Sequence, residues 1–340
     1  MTYPAPAEDV PVSSRPLNAD YTSAGTWRKA GPSLDYEFVT DVAVGADDRL
    51  YALVRKPGQV LVYEPDGTFV RNFGREQLGD DPHGLFVAEE RVHVADQFNH
   101  VVRSFTTDGK LTGTLGTFGQ PSDTGVDDSI KDVFTRAASI RRSAPPFNRP
   151  TNVAVAPDGD IYVSDGYGNS RIHRFSPDGR LLHSWGSPGP LPGQFWIAHH
   201  VSVAADGRVL VVDHGNERIQ VFTSGGELLD VWSGLQHPSA AIPQPDGTVL
   251  VGELTWQLET GSFYRGRITV PLAARISLLA ADGRVLRRSV DEHDGTPFRF
   301  KSPHGMAIDS RGSIYVADLR VARSEEPQRQ MVQKFLRRGG

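Results

Sequence analysis

The 340-residue chain contains no cysteine. That excludes a disulfide scaffold, an iron–sulfur cluster and any thiolate-ligated zinc. It also lacks a hydrophobic run near the roughly 20 residues that a membrane helix needs. Its start, MTYPAPAEDVPVSSRPLNAD, has neither the basic opening nor the apolar stretch of a secretory signal. A cytoplasmic protein without membrane contact is therefore expected. Charge of a single sign is missing too: 36 Lys and Arg against 41 Asp and Glu leave a net charge of −5. Such a balance gives no reason to expect nucleic acid. Aromatic residues make up only 9%. What the chain has in quantity is glycine, 35 residues, and proline, 24. Both suit a turn-dense β protein.

This length usually means two or three domains, unless a repeat organises the chain. One does. VTDVAVGADDRLYALV, HGLFVAEERVHVAD, TNVAVAPDGDIYVSD, HHVSVAADGRVLVVD and HGMAIDSRGSIYVAD each join two apolar runs through a polar turn. That is a hairpin pattern. A third run follows most of them, as in RIHRFSPDG and RIQVFTSGG, and then a fourth, as in RLLHSWG and ELLDVWSG. A more divergent unit holds SAAIPQPDGTVLVGEL and RISLLAADGRVLRRSV. Four short strands in roughly forty residues mark a propeller blade. The fold class is all-β, a six-bladed β-propeller forming one domain over 1–340, with an irregular arm at 1–20. The blades run at about 36–74, 80–116, 148–186, 194–234, 236–290 and 301–338. The last blade shows three strands, ending in QMVQKFLR. GTWRKAG, residues 25–31, is the expected fourth, an N-terminal strand that closes the ring.

Two stretches interrupt the repeat. Residues 117–147 contain DDSIKDVFTRAASIRRS, a short helix with Asp at its start. Residues 254–274 separate strands two and three of blade five. Strands alternate in direction, so both insertions belong to the face on which each first strand begins, where they are expected to act as lids.

At the start of each first strand, the aligned repeats read Thr40, His83, Thr151, His199, Ser239 and His304. Histidine occupies alternate blades, which sets three imidazoles at about 120° around a sixfold channel. Three neutral imidazoles converging with an open fourth position suit a catalytic divalent transition metal: Zn²⁺, Mn²⁺, Fe²⁺ or Co²⁺. His93, His173 and His183 read as ordinary strand residues, and His200 points away from its neighbour. His100 is expected on the surface. The recurring Asp96, Asp165, Asp213 and Asp318 are expected to hold loop backbone amides, not to form a carboxylate ring.

SDGYGNSRIHRFSPDG, PGQFWIAHHVSV and VVDHGNERIQVF resemble the peptidyl-α-hydroxyglycine α-amidating lyases, which belong with the NHL-repeat propellers. The resemblance spans roughly 36–338. It implies a catalytic zinc held by His83, His199 and His304, a tyrosine acting on the substrate hydroxyl at Tyr167, and a substrate-binding arginine at Arg55. The implied reaction splits an α-hydroxyglycine end into an amide and glyoxylate. The chemistry fits: a metal lowers the pKa of a hydroxyl, Tyr167 accepts the proton, and Arg55 clamps a carboxylate.

The chain also departs from the family pattern. Ser302 replaces a methionine. Gly305 replaces an aspartate that helps hold structural Ca²⁺, which puts that ion in doubt. His214 stands where an arginine is expected, shares the register of Arg55 and is counted with the catalytic residues. The family's disulfides are absent, since there is no cysteine, and no monooxygenase domain is expected. The expected protein is a monomer acting on a small-molecule or short peptide-like α-hydroxy acid. Two alternatives stay open. One is a metal-dependent hydrolase or lactonase, for which Glu, Asn and Asp ligands would be usual. The other is a non-catalytic NHL binding scaffold.

Overall fold

A computed structural model describes residues 15–29, 38–255, 272–319 and 332–339. The repeats fold into six four-stranded antiparallel sheets. The first strands are Phe38–Val44, Gly84–Ala88, Asn152–Val155, Ala198–Val203, Pro238–Pro243 and Pro303–Ile308. Each packs against the first strands of both neighbours, so they form a ring around a central channel. The chain is a six-bladed β-propeller. The Asp-Gly turns behave as local chemistry requires. In the turn after Arg171–Phe175, Gly179 sits at φ +87°, a conformation that costs other residues far more.

The second strands of the blades, such as Ile161–Asp165 and Val209–Asp213, are buried along their whole length because each blade is covered on both sides, whereas outer strands such as Leu111–Gly116 are largely exposed. The core is accordingly divided. Six apolar clusters fill the six gaps between blades. Between blades six and one, for example, Ala307, Tyr315 and Ala317 meet Val39, Leu50 and Val54.

The last blade is closed from the N-terminus, but by a strand that starts four residues earlier than GTWRKAG. Tyr21–Ser23 pairs with Val332–Arg337, with Tyr21 opposite Arg337 and Ser23 opposite Phe335. Trp27, expected in that strand, lies edge-on between Tyr63 and Tyr315 and donates from Nε1 to the Val332 carbonyl, 3.2 Å. Packing of the indole ring overrides the strand-like spelling. The arm is not irregular up to residue 20 either. Leu17–Asp20 form a 3₁₀ turn that buries Leu17 and Asn18 completely.

In the insertion at 117–147, a helix, α1 (Val133–Ala138), is capped by Asp132, whose carboxylate accepts from the Thr135 amide at 2.8 Å. Most of the second insertion, residues 256–271, lies outside the described residues.

Candidate metal and substrate site

A backbone irregularity aims the key side chains. Ladder pairing skips Thr40, His199, Ser239 and His304, so each is the extra residue of a β-bulge in its first strand. A bulge breaks the alternation of faces and re-aims one side chain. His83 and Thr151 stand one residue before their strands, and their amides donate to Ala95 and Ser164 carbonyls at 2.8 Å. The three histidines of this register converge on one another, whereas Thr40, Thr151 and Ser239 are fully buried.

The three imidazoles form an equilateral triangle. Ring centroids are 4.8 Å apart on every side, with interplanar angles of 69° to 82°. Their ligand atoms lie within 4.8 Å of one another, and among the described residues this is the group able to hold a metal ion. Each Nδ1 faces a backbone carbonyl of the next blade: His83 to Thr151 at 2.7 Å, His199 to Ser239 at 2.8 Å and His304 to Thr40 at 2.7 Å. A carbonyl only accepts, so Nδ1 carries the proton and Nε2 keeps its lone pair.

Burial disfavours a charged imidazole, and the nearby histidines and Arg55 add repulsion. His83 and His199 are pushed well below the usual value, and His304 to about 3. Three neutral nitrogen donors with fixed tautomers fit a transition metal.

Tyr167 lies at the triangle. Its hydroxyl donates to His83 Nε2 at 2.9 Å. Its loop is threaded between backbones: a Cβ on Gly166 would meet the Ala198 carbonyl at 2.1 Å, and one on Gly168 would meet Asn148 Oδ1 at 2.1 Å. Arg55 ends the second strand of blade one, close enough to disfavour protonation of His83 and His304. Asp81 pairs with its Nε at 2.6 Å, a partner that carries no repeat signature. Burial holds the Asp81 carboxyl above its ordinary range, opposed mainly by Arg55. His214 is buried beside His199, with centroids 5.1 Å apart, and its Nδ1 donates to the Pro238 carbonyl at 2.8 Å.

The 117–147 insertion lies on this same face. Phe134 of α1 stacks on His214 at 5.4 Å and on His237 at 5.5 Å. Trp196 Nε1 donates to the Phe134 carbonyl at 3.2 Å, and Thr124 donates to the Gly168 carbonyl at 2.6 Å. Phe134, Trp196 and His237 belong to the mouth, but only tertiary packing reveals them.

The remaining candidates are structural. Asp165 accepts from the Asn148 amide and from Asn169, and Asp213 from the Trp196 amide and Asn216. Asp96 and Asp318 do the same with the amides of Gly79 and Ser302. Glu253 takes this role in blade five through the Gln236 amide. His93 bonds Ser104, His173 bonds Asp165 and Ser184, and His183 stacks on Trp185. His100, expected on the surface, is buried and accepts from the Arg149 amide.

Gly305 is filled by a neighbour: a Cβ there would meet Asp41 Oδ1 at 2.2 Å. The Asp41 carboxylate accepts from the Val42 and Leu85 amides and from Asn152. Burial raises it to about 7. N–H donors, not oxygen ligands, surround it, which is poor chemistry for Ca²⁺.

The NHL repeat family matches residues 147–175. NHL repeat-containing protein 3 of Homo sapiens is 33% identical over 207 residues, covering 57% of this chain and 54% of that protein. Peptidyl-alpha-hydroxyglycine alpha-amidating lyase 1 of Drosophila melanogaster is 27% identical over 263 residues, covering 70% of this chain and 42% of that protein. The chain thus spans about half the length of these curated relatives. A streptogramin B lyase structure aligns with TM-score 0.56 at 14% identity, covering 89% of this chain and 94% of its own, a likeness of fold alone. Fold and repeat define an NHL-type six-bladed propeller. Within that class, the chain is similar to proteins named peptidyl-α-hydroxyglycine α-amidating lyases.

Proposed function

We propose that this protein is a metal-dependent lyase that cleaves a C–N bond at an α-hydroxy acid or hemiaminal centre. The observation that carries the reading is the triangle of three neutral imidazoles with the Tyr167 hydroxyl on its edge. His83, His199 and His304 would hold the ion through Nε2. A bound Zn²⁺, or a similar divalent transition ion, supplies Lewis acidity toward a substrate oxygen.

The chain's own groups do the rest. With His83 Nε2 given over to the ion, Tyr167 would release its phenolic proton to solvent and, as a phenolate, accept the proton of the substrate hydroxyl. Arg55, anchored through Nε by Asp81, binds the carboxylate. The proton taken from the hydroxyl passes to the departing nitrogen, with Nε2 of His214 as its relay. The C–N bond breaks as the carbonyl forms, and no water is consumed. The same reading takes the protein as a cytoplasmic monomer, in keeping with its lack of cysteine. Its substrate is a small-molecule or short peptide-like α-hydroxy acid.

The test is metal analysis of purified protein, together with glyoxylate release from N-acyl-α-hydroxyglycines and, in parallel, lactone opening. We expect one transition ion per chain and glyoxylate release. The H199A variant should lose metal affinity by more than the roughly 100-fold that outer-shell losses cost. Lactone opening alone would favour a hydrolase. A folded protein without affinity for any transition ion would leave a binding scaffold.

A further inference from the structure

The hydroxyl residues that alternate with the histidines are not spacers. Thr40 Oγ1 donates to the His83 carbonyl at 3.2 Å, Thr151 Oγ1 to the Ala198 carbonyl at 2.6 Å, and Ser239 Oγ to the Pro303 carbonyl at 2.6 Å. Each acceptor is the carbonyl of a histidine of the triangle or of the residue just before it. Each histidine in turn donates from Nδ1 to the carbonyl of the next hydroxyl residue, at 2.7 to 2.8 Å. The six links therefore run Thr40, His83, Thr151, His199, Ser239, His304 and back to Thr40. Every donor points to the following blade. The belt is closed and has one direction.

All six residues are buried, from 0% exposed at Thr40, Thr151 and Ser239 to 6% at His304. In such surroundings, linked hydrogen bonds strengthen one another, and a missing one is costly. Two of the hydroxyls have an alternative acceptor in their own blade: Ser164 O for Thr151 and Gly252 O for Ser239, both at 3.0 Å. The shorter contact is the one that crosses to the next blade.

We propose that Thr40, Thr151 and Ser239 are positioning residues that set the three Nε2 atoms for the ion. Their hydroxyls hold the backbone just where each ligand leaves it, and in blades four and six that backbone is bulged. This inference rests on the metal reading of the triangle. It adds that affinity is built by the odd-numbered blades as much as by the even ones.

The test uses the full chain, stripped with chelator and checked for folding by circular dichroism. Zn²⁺ affinity is measured by competition with a chromogenic chelator, and the visible bands of the Co²⁺-loaded protein are recorded. T151V and S239A should each bind Zn²⁺ about 10- to 100-fold more weakly, with shifted Co²⁺ bands. T151S, which keeps the hydroxyl, should stay within about threefold of the parent, well short of such an outer-shell loss. Parent-like affinity and bands in T151V and S239A would overturn the proposal. So would a loss in T151S equal to that in T151V, which would trace the effect to packing. A folded parent that takes up no transition ion would sink the metal reading itself, and the proposal with it.

Discussion

At the residue scale, the histidines are set apart by how little they want a proton. Three imidazoles with ordinary values near 6.5 would each lose about tenfold in free base at pH 5.5, so a metal site built from them would weaken by about 10³. Here burial comes first among the causes, and the folded values lie well below 6.5. As pH falls through 6.5, the native ligands therefore stay unprotonated, while those of the unfolded chain charge. Zn²⁺ affinity should change by less than about tenfold between pH 7.5 and 5.5, once chelator protonation is corrected. A thousandfold loss would mean that the imidazoles are solvated. The stabilisation that comes from burying them neutral is complete above pH 6.5 and declines below it. Asp41, raised to about 7, and Asp213, raised to about 6, work the other way, because each takes up a proton in the folded state first. Metal affinity is thus the cleaner readout.

At the scale of elements, the loop carrying Tyr167 is the most constrained piece of the mouth. Gly166→Ala would drive a methyl into the Ala198 carbonyl. It should cost about 1–3 kcal/mol in urea unfolding and displace the tyrosine, lowering turnover while metal content holds. An unchanged midpoint would show that the loop has slack. The alternating Thr, His, Thr, His, Ser, His was legible in the sequence because the blades share one register and the repeat can be aligned. The way those side chains reach the channel was not, since a bulge is one extra residue in a ladder and leaves no letter of its own. Asp81 and Phe134 were illegible for a related reason. Each meets the site through a contact between segments that no repeat predicts. Trp27 misled because tryptophan suits a strand and a packed corner equally well.

At the scale of the whole molecule, the ring has no single centre of stability. Its core is six slabs, and the joint between the two chain ends is only as strong as a three-residue strand and the turn before it. Removing residues 1–24 strips Leu17 and Tyr21 from the cluster between blades five and six. Losing those two buried side chains and the edge pairing should lower Tm by about 5–10 °C. It should also make the protein aggregate through the bared Val332–Arg337 edge. A melt that matches the full chain would mean that this strand is ornamental. The alternation of imidazole and hydroxyl has its own meaning at this scale. The fold repeats every blade, but the triangle repeats every second blade, so the chemistry has threefold symmetry inside a sixfold body. The smallest complete contribution to the site is a pair of blades, one giving an imidazole and the next the carbonyl that fixes it. A shorter chain of one such pair, associating as a trimer, would carry the same triangle on its axis.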